Sequence, residues 1–165
     1  MMATGIASAA TIRAGNQMGL KDIPTLIKVG KSSFFMSAVI MISWALFFIL
    51  GNNWLPTLYV DEMPVILLSG SLLVIAAFFQ VSDGLQVVGL GVLRGMEDVK
   101  MPTLITLIAY WIFGLPISYL LGFVFDIGIQ GIWIGLLIGL SVSAFSLIAR
   151  FNRLVKQKLK IYMEI

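Results

Sequence analysis

The residue best placed to do chemistry in this chain is Asp83. It lies in the run Phe78-Phe79-Gln80-Val81-Ser82-Asp83-Gly84-Leu85-Gln86, inside a long apolar stretch whose nearest other charges are Glu62 and Arg94. A carboxylate held in hydrocarbon costs at least ~2.5–3.5 kcal/mol, so such a group faces a bundle interior or a wet cavity. Gln80, Asp83 and the Gln86/Val87 position follow i, i+3 spacing, which places them along one helix face. That polar stripe offers oxygen atoms suited to a proton or to a hard cation such as Na⁺, with Asp83 as the candidate metal ligand and Gln80 beside it. The plainer alternative is that Asp83 only hydrogen-bonds a neighbouring helix.

Other spacings point to assembly. Gly131, Gly135, Gly139 and Ser143 recur at intervals of four, as do Gly91 and Gly95. Stripes of small residues let two helices approach closely in lipid, so these are read as packing surfaces. Pro116, in Gly114-Leu115-Pro116, removes a backbone donor and kinks its helix. Such a break serves either packing or a hinge beside a substrate path. Arg13 and Arg94 each stand next to glycine, in Arg13-Ala14-Gly15 and Arg94-Gly95, which hints at one local structure used at two helix ends. Either arginine could snorkel to lipid headgroups. The sharper expectation is pairing with a loop carboxylate such as Asp98.

These residues need elements to position them, and composition says what kind. Of 165 residues, 59% are hydrophobic and only 12% are charged, against the quarter or so charged in a soluble domain. A soluble fold of this size has too little interior to hide so many apolar side chains. Lipid removes the difficulty. A helix needs about 20 apolar residues to cross the hydrocarbon core, and as a helix it closes its own backbone hydrogen bonds there. Four stretches qualify, at about 32–54, 63–93, 101–125 and 127–150. Residues 1–16 read as the exit half of a further helix, and 151–165 as a polar tail. The expected fold is therefore an all-α integral membrane bundle of four spans plus the tail of a fifth.

Charge orients it. Arg13, Lys21, Lys28 and Lys31 precede the first span, and Arg94 and Lys100 lie between the second and third. Arg150, Arg153, Lys156, Lys158 and Lys160 follow the fourth, while the connections at Asp61-Glu62 and at Asp126 hold no basic residue. Lys and Arg accumulate on the cytoplasmic side, so the three basic segments, C-terminus included, are placed there, in a multi-pass protein of the inner (plasma) membrane. Trp54, Tyr59, Phe123 and Phe125 fall near the opposite ends, at the depth where aromatic belts collect. Both acidic connections are read as short turns joining antiparallel neighbours.

Much is excluded. With no cysteine and no histidine, the chain has no disulfide, no thiolate metal site and no histidine general base. Gly89-Leu90-Gly91-Val92-Leu93-Arg94 lacks the third glycine and the strand of a dinucleotide site. No nucleophile–base pair is visible, so an enzyme is not expected. The net charge of +3 and the basic tail are read as a stop-transfer anchor at the membrane surface, not as a nucleic-acid interface. Met1-Met2-Ala3-Thr4-Gly5-Ile6-Ala7 has no basic n-region, so it makes a poor signal peptide and reads as the middle of an apolar helix. The expectation is a fragment of a longer protein.

Four blocks taken together resemble the multidrug and toxic compound extrusion (MATE) family, in its NorM-like branch. Ala7-Ser8-Ala9-Ala10-Thr11-Ile12-Arg13-Ala14-Gly15-Asn16-Gln17-Met18-Gly19 is similar to the end of the family's helix 8. Gln80 to Gln86, continuing through Gly91-Val92-Leu93-Arg94-Gly95-Met96-Glu97-Asp98, is similar to helix 10 and its exit. Tyr110-Trp111-Ile112-Phe113-Gly114-Leu115-Pro116-Ile117-Ser118-Tyr119 resembles helix 11, and Gly128-Ile129-Gln130-Gly131-Ile132-Trp133-Ile134-Gly135-Leu136 the start of helix 12. The resemblance implies helices 8–12 of a twelve-helix, two-lobed fold, so residues 1–165 would be part of a C-terminal lobe. It implies export of cationic amphipathic drugs by antiport with Na⁺ or H⁺, with no other cofactor. Asp83 matches the acidic position of helix 10, and its acidic partner on helix 7 would fall before residue 1. The absent N-terminal lobe would then be an obligatory partner alongside membrane lipid, since alternating access needs two lobes. The chain alone would be inactive. Two alternatives stand beside this: a flippase for lipid-linked sugars, which would want basic residues deep in a span, and a standalone four-helix membrane scaffold.

Overall fold

A computed structural model describes residues 2–163. Met1, at the head of the expected helix tail, and 164–165, at the end of the expected C-terminal tail, lie outside the described residues. The regular structure among the described residues is all helical: α1 (Met2–Gly19), α2 (Ile23–Gly51), a 3₁₀ turn (Pro56–Leu58), α3 (Met63–Gly95), α4 (Lys100–Ile108), a π segment (Ala109–Gly114), α5 (Leu115–Tyr119), a second π segment (Leu120–Val124) and α6 (Ile129–Met163). The run Lys100–Val124 is one continuous rod and is called the third span below. With α2, α3 and α6 it makes four helices long and apolar enough to cross a membrane. Up-and-down order brings every basic segment to one end of the bundle and both acidic connections to the other.

The helices start and stop for local reasons. Asp22 precedes α2 and accepts the Thr25 backbone N–H at 3.1 Å, while Pro24, which lacks a donor, sits in the first turn where none is needed. That cap moves the start of α2 to Ile23, ahead of the expected 32, because a cap and a proline outweigh the charges of Lys28 and Lys31. α2 also ends at Gly51, short of 54, and residues 52–62 form an irregular connection with a 3₁₀ turn in place of a short turn. α6 does not stop at 150: the tail continues as helix to Met163, since nothing in Arg153–Lys160 breaks one. α1 likewise runs on to Gly19.

The tightest core lies at the basic end. Ala7, Ala10 and Ala14 of α1, Leu26 of α2, Val88, Val92 and Leu93 of α3, and Leu147 and Phe151 of α6 are buried together. Phe151 meets Phe34 edge to face with ring centroids 5.6 Å apart, and its ring fills the space where a β-carbon on Gly30 would stand. Towards the acidic end α3 is open: Met63 and Leu67 are 69% and 72% exposed. An exposed leucine in water would be a cost, whereas facing lipid or another apolar surface it is not.

Candidate functional site

Asp83 sits in the second half of α3, half-buried, on the side that also carries Val87, Leu90 and Arg94. Among the described residues it makes no hydrogen bond or ion pair with another side chain. Its flanking amides diverge. Gln80 donates through Nε2 to the Met41 carbonyl of α2 at 3.4 Å. Gln86, only 7% exposed, accepts the Tyr110 hydroxyl of the third span at 3.2 Å. Successive i+3 steps each turn about 60° around the helix, so the stripe fans across two neighbours and does not face one. Ser82, beside Asp83, shares a 3.0 Å hydrogen bond with Ser141 of α6. Asp83 thus stands in the stretch of α3 where side chains or carbonyls of α2, the third span and α6 all make polar contacts with that helix.

Spacing does not single out Tyr110, Ser82 or Ser141. Serine and tyrosine are common in apolar helices, and only the packing decides which hydroxyls meet. The same holds for Ser37 of α2, fully buried opposite Gly84, whose hydroxyl has no hydrogen-bond partner. Among the described residues, no three His, Cys, Asp or Glu side chains gather as a metal cluster. Any cation held at Asp83 would therefore take its remaining oxygens from neutral groups.

The glycines of both stripes lie where helix backbones come close. A β-carbon on Gly139 would lie 2.6 Å from the Gly114 Cα, one on Gly131 2.6 Å from the Leu121 carbonyl oxygen, and one on Gly135 inside the Ser118 backbone. So α6 touches the third span backbone to backbone. Gly91 and Gly95 make the same kind of contact with α1: Thr11 donates its hydroxyl to the Gly91 carbonyl at 2.8 Å. Pro116 is exposed on the third span, between the two π segments. The rod is irregular there over several turns, a wider disturbance than one kink.

Arg13 and Arg94 are exposed, and the pairing of Arg94 with Asp98 does not form. Arg150 occupies Asp98 instead, its Nε donating to Oδ2 at 2.8 Å. Chain reversal after α3 carries Asp98 towards α6 and away from the turn below it. The local echo lies a few residues beyond Arg13. Gly19-Leu20-Lys21-Asp22 and Gly95-Met96-Glu97-Asp98 end α1 and α3 alike, with Lys21 and Glu97 at φ 57° and 66°. In both, the aspartate N–H returns 3.0 Å to a carbonyl five residues back, Gln17 or Leu93. Arg94 also borders a groove of about 200 Å³ between α1 and α3, together with Thr4, Ser8 and Thr11.

A bundle of long apolar helices, antiparallel, with polar groups turned inward at mid-depth, is the architecture of a multi-pass membrane protein. Comparison with known proteins gives the family. The sequence profile of the MatE family matches residues 1–120. The chain is 37% identical over 160 residues to the probable multidrug resistance protein NorM of Rhodopseudomonas palustris, covering 94% of this chain and 34% of that protein. It is 38% identical over 161 residues to the multidrug resistance protein MdtK of Photorhabdus laumondii, covering 95% and 35%. The fold superimposes on the eukaryotic MATE transporter AtDTX14 with a TM-score of 0.84 and 25% identity, over 96% of this chain and 36% of that one. An inward-facing multidrug resistance MATE transporter of the MOP superfamily gives 0.82 at 18% identity, which speaks to fold alone. The chain belongs to the MatE family, and it spans about a third of the length of the curated relatives it matches. Both of these curated relatives are named for multidrug resistance, and neither for lipid-linked sugars.

Proposed function

We propose that this chain is the part of a drug/cation antiporter that carries the coupling carboxylate. Asp83 would bind Na⁺ or H⁺, with Gln80 alongside, and the energy of the inward ion flow would drive export of cationic amphipathic compounds. The observation that carries this reading is the half-buried carboxyl group of Asp83, unpaired with any described side chain, in the second half of a spanning helix in a MatE-family fold. A group so costly to bury persists where a mobile ion repays it. An apolar cavity of about 460 Å³ between α2, α3 and α6, with Ser82 and Ser141 among its lining residues, supports a role in housing the apolar part of a substrate.

Transport needs a second lobe to rock against this one, so the chain alone is inactive and its partner is the N-terminal lobe present in its longer relatives. The basic end faces the cytoplasm, C-terminus included, and the protein resides in the inner membrane. Efflux of a fluorescent cationic dye by the complete two-lobed transporter is the test. Asp83→Asn should abolish ion-dependent efflux; unchanged ion-dependent efflux would refute the coupling role. The 165-residue chain reconstituted by itself should move no dye.

A further inference from the structure

We infer that the Tyr110 hydroxyl is a ligand of the cation held at Asp83, and that Gln86 is the positioning residue that aims it. This deepens the coupling reading above and rests on it. Tyr110 belongs to the π segment Ala109–Gly114. A π turn holds one residue more than an α turn, so it re-aims the side chains it carries by about 100° relative to an unbroken helix. Here the third span delivers the Tyr110 hydroxyl to α3, where it donates to Gln86 Oε1 at 3.2 Å. Gln86 is 7% exposed and uses its carbonyl in this bond.

A phenol has one proton and two lone pairs. With the proton committed to Gln86, the lone pairs remain free to meet a cation. Asp83 lies three residues before Gln86, so their β-carbons stand roughly 5–6 Å apart on adjoining rows of the helix. A hard cation leaving water wants several oxygens, and one carboxylate supplies two. Tyr110 adds another from a separate helix, without adding charge. One carboxylate and a neutral phenol leave a bound monovalent ion electrically balanced, whereas a divalent ion would keep an uncompensated charge in an apolar site. The geometry therefore selects Na⁺ over a divalent metal, and it ties ion occupancy to the third span.

The test uses the complete two-lobed transporter in detergent, with sodium exchanged for choline at constant ionic strength. Bound sodium is followed by sodium NMR at a temperature where every variant is folded, alongside thermal unfolding. Sodium should bind saturably and raise the melting temperature of the unsubstituted transporter, with magnesium failing to replace it. Tyr110→Phe should weaken sodium binding by about tenfold or more, yet melt in choline like the unsubstituted transporter. Gln86→Leu, which frees the hydroxyl without removing it, should weaken binding less. A Tyr110→Phe transporter that titrates like the unsubstituted one overturns the assignment and leaves the coupling reading intact. An Asp83→Asn transporter that still binds sodium normally overturns the coupling reading itself. No sodium response in the unsubstituted transporter also overturns the Tyr110 assignment, while a proton-coupled form of the reading survives for the dye-efflux measurement to judge.

Discussion

Removing the Arg150 guanidinium would leave the Asp98 carboxylate, 15% exposed, without its 2.8 Å partner. Arg150→Ala should cost about 1–2 kcal/mol, between the worth of a surface pair and a buried one. Asp98→Ala should cost less, because Arg150 is more exposed and can reach water. Thermal unfolding in detergent of the two single variants and the double variant separates the pair from its parts. Asp22 makes a pH-dependent contribution. The Thr25 hydroxyl and backbone N–H hold its carboxyl below the usual carboxylate range. Because the folded value is depressed, the capping stability is present above the ordinary aspartate pKa and is lost as pH falls through the folded value. Asp22→Asn keeps a capping oxygen without the charge. Unfolding measured from neutral to acid pH should therefore show a shallower acid loss in the Asn variant.

At the scale of elements, the contact between α6 and the third span depends on missing side chains. Gly135→Leu would drive a side chain into the Ser118 backbone, which cannot give way as a flexible side chain can. Overpacking of this kind costs about 1–3 kcal/mol or more. Gly5, by contrast, has open space where a β-carbon would stand, with nothing within 4 Å. Gly5→Ala should therefore raise stability by about 0.5–1 kcal/mol through helix propensity alone. If both substitutions lower the melting temperature equally, glycine spacing is not what sets the packing. The close approach was legible from the spacing of Gly131, Gly135 and Gly139, since only hydrogen at those positions lets backbones meet. The π segments around Pro116 were not, because an i→i+5 turn has no composition of its own and follows from how α6 grips the rod.

For the whole molecule, the charge alternation predicts sidedness, and the lack of native cysteine makes it simple to measure. Single cysteines replacing Glu62 and Lys158 should lie on opposite sides of the membrane. In intact cells an impermeant maleimide should label position 62 and spare position 158 until the cells are opened. The reverse pattern would invert the proposed topology while leaving the fold untouched.

The chain's composition and its placement of lysine, arginine, glycine and aspartate were enough to determine a membrane bundle of four spans, its up-and-down order and the one carboxylate at depth. Those features follow from transfer energies and local sterics, which act on residues near in sequence. Tertiary packing alone decided which groups meet across helices: Tyr110 with Gln86, Ser82 with Ser141, and Arg150 in place of Arg94 on Asp98. It also docked the start of the helical tail, where Phe151 and Val155 share a buried cluster with Ile23 and Leu26 of α2 that no reading of residues 150–163 by themselves contains. Partners chosen across the bundle depend on rotation and register of whole helices, and those are settled only when every helix packs at once.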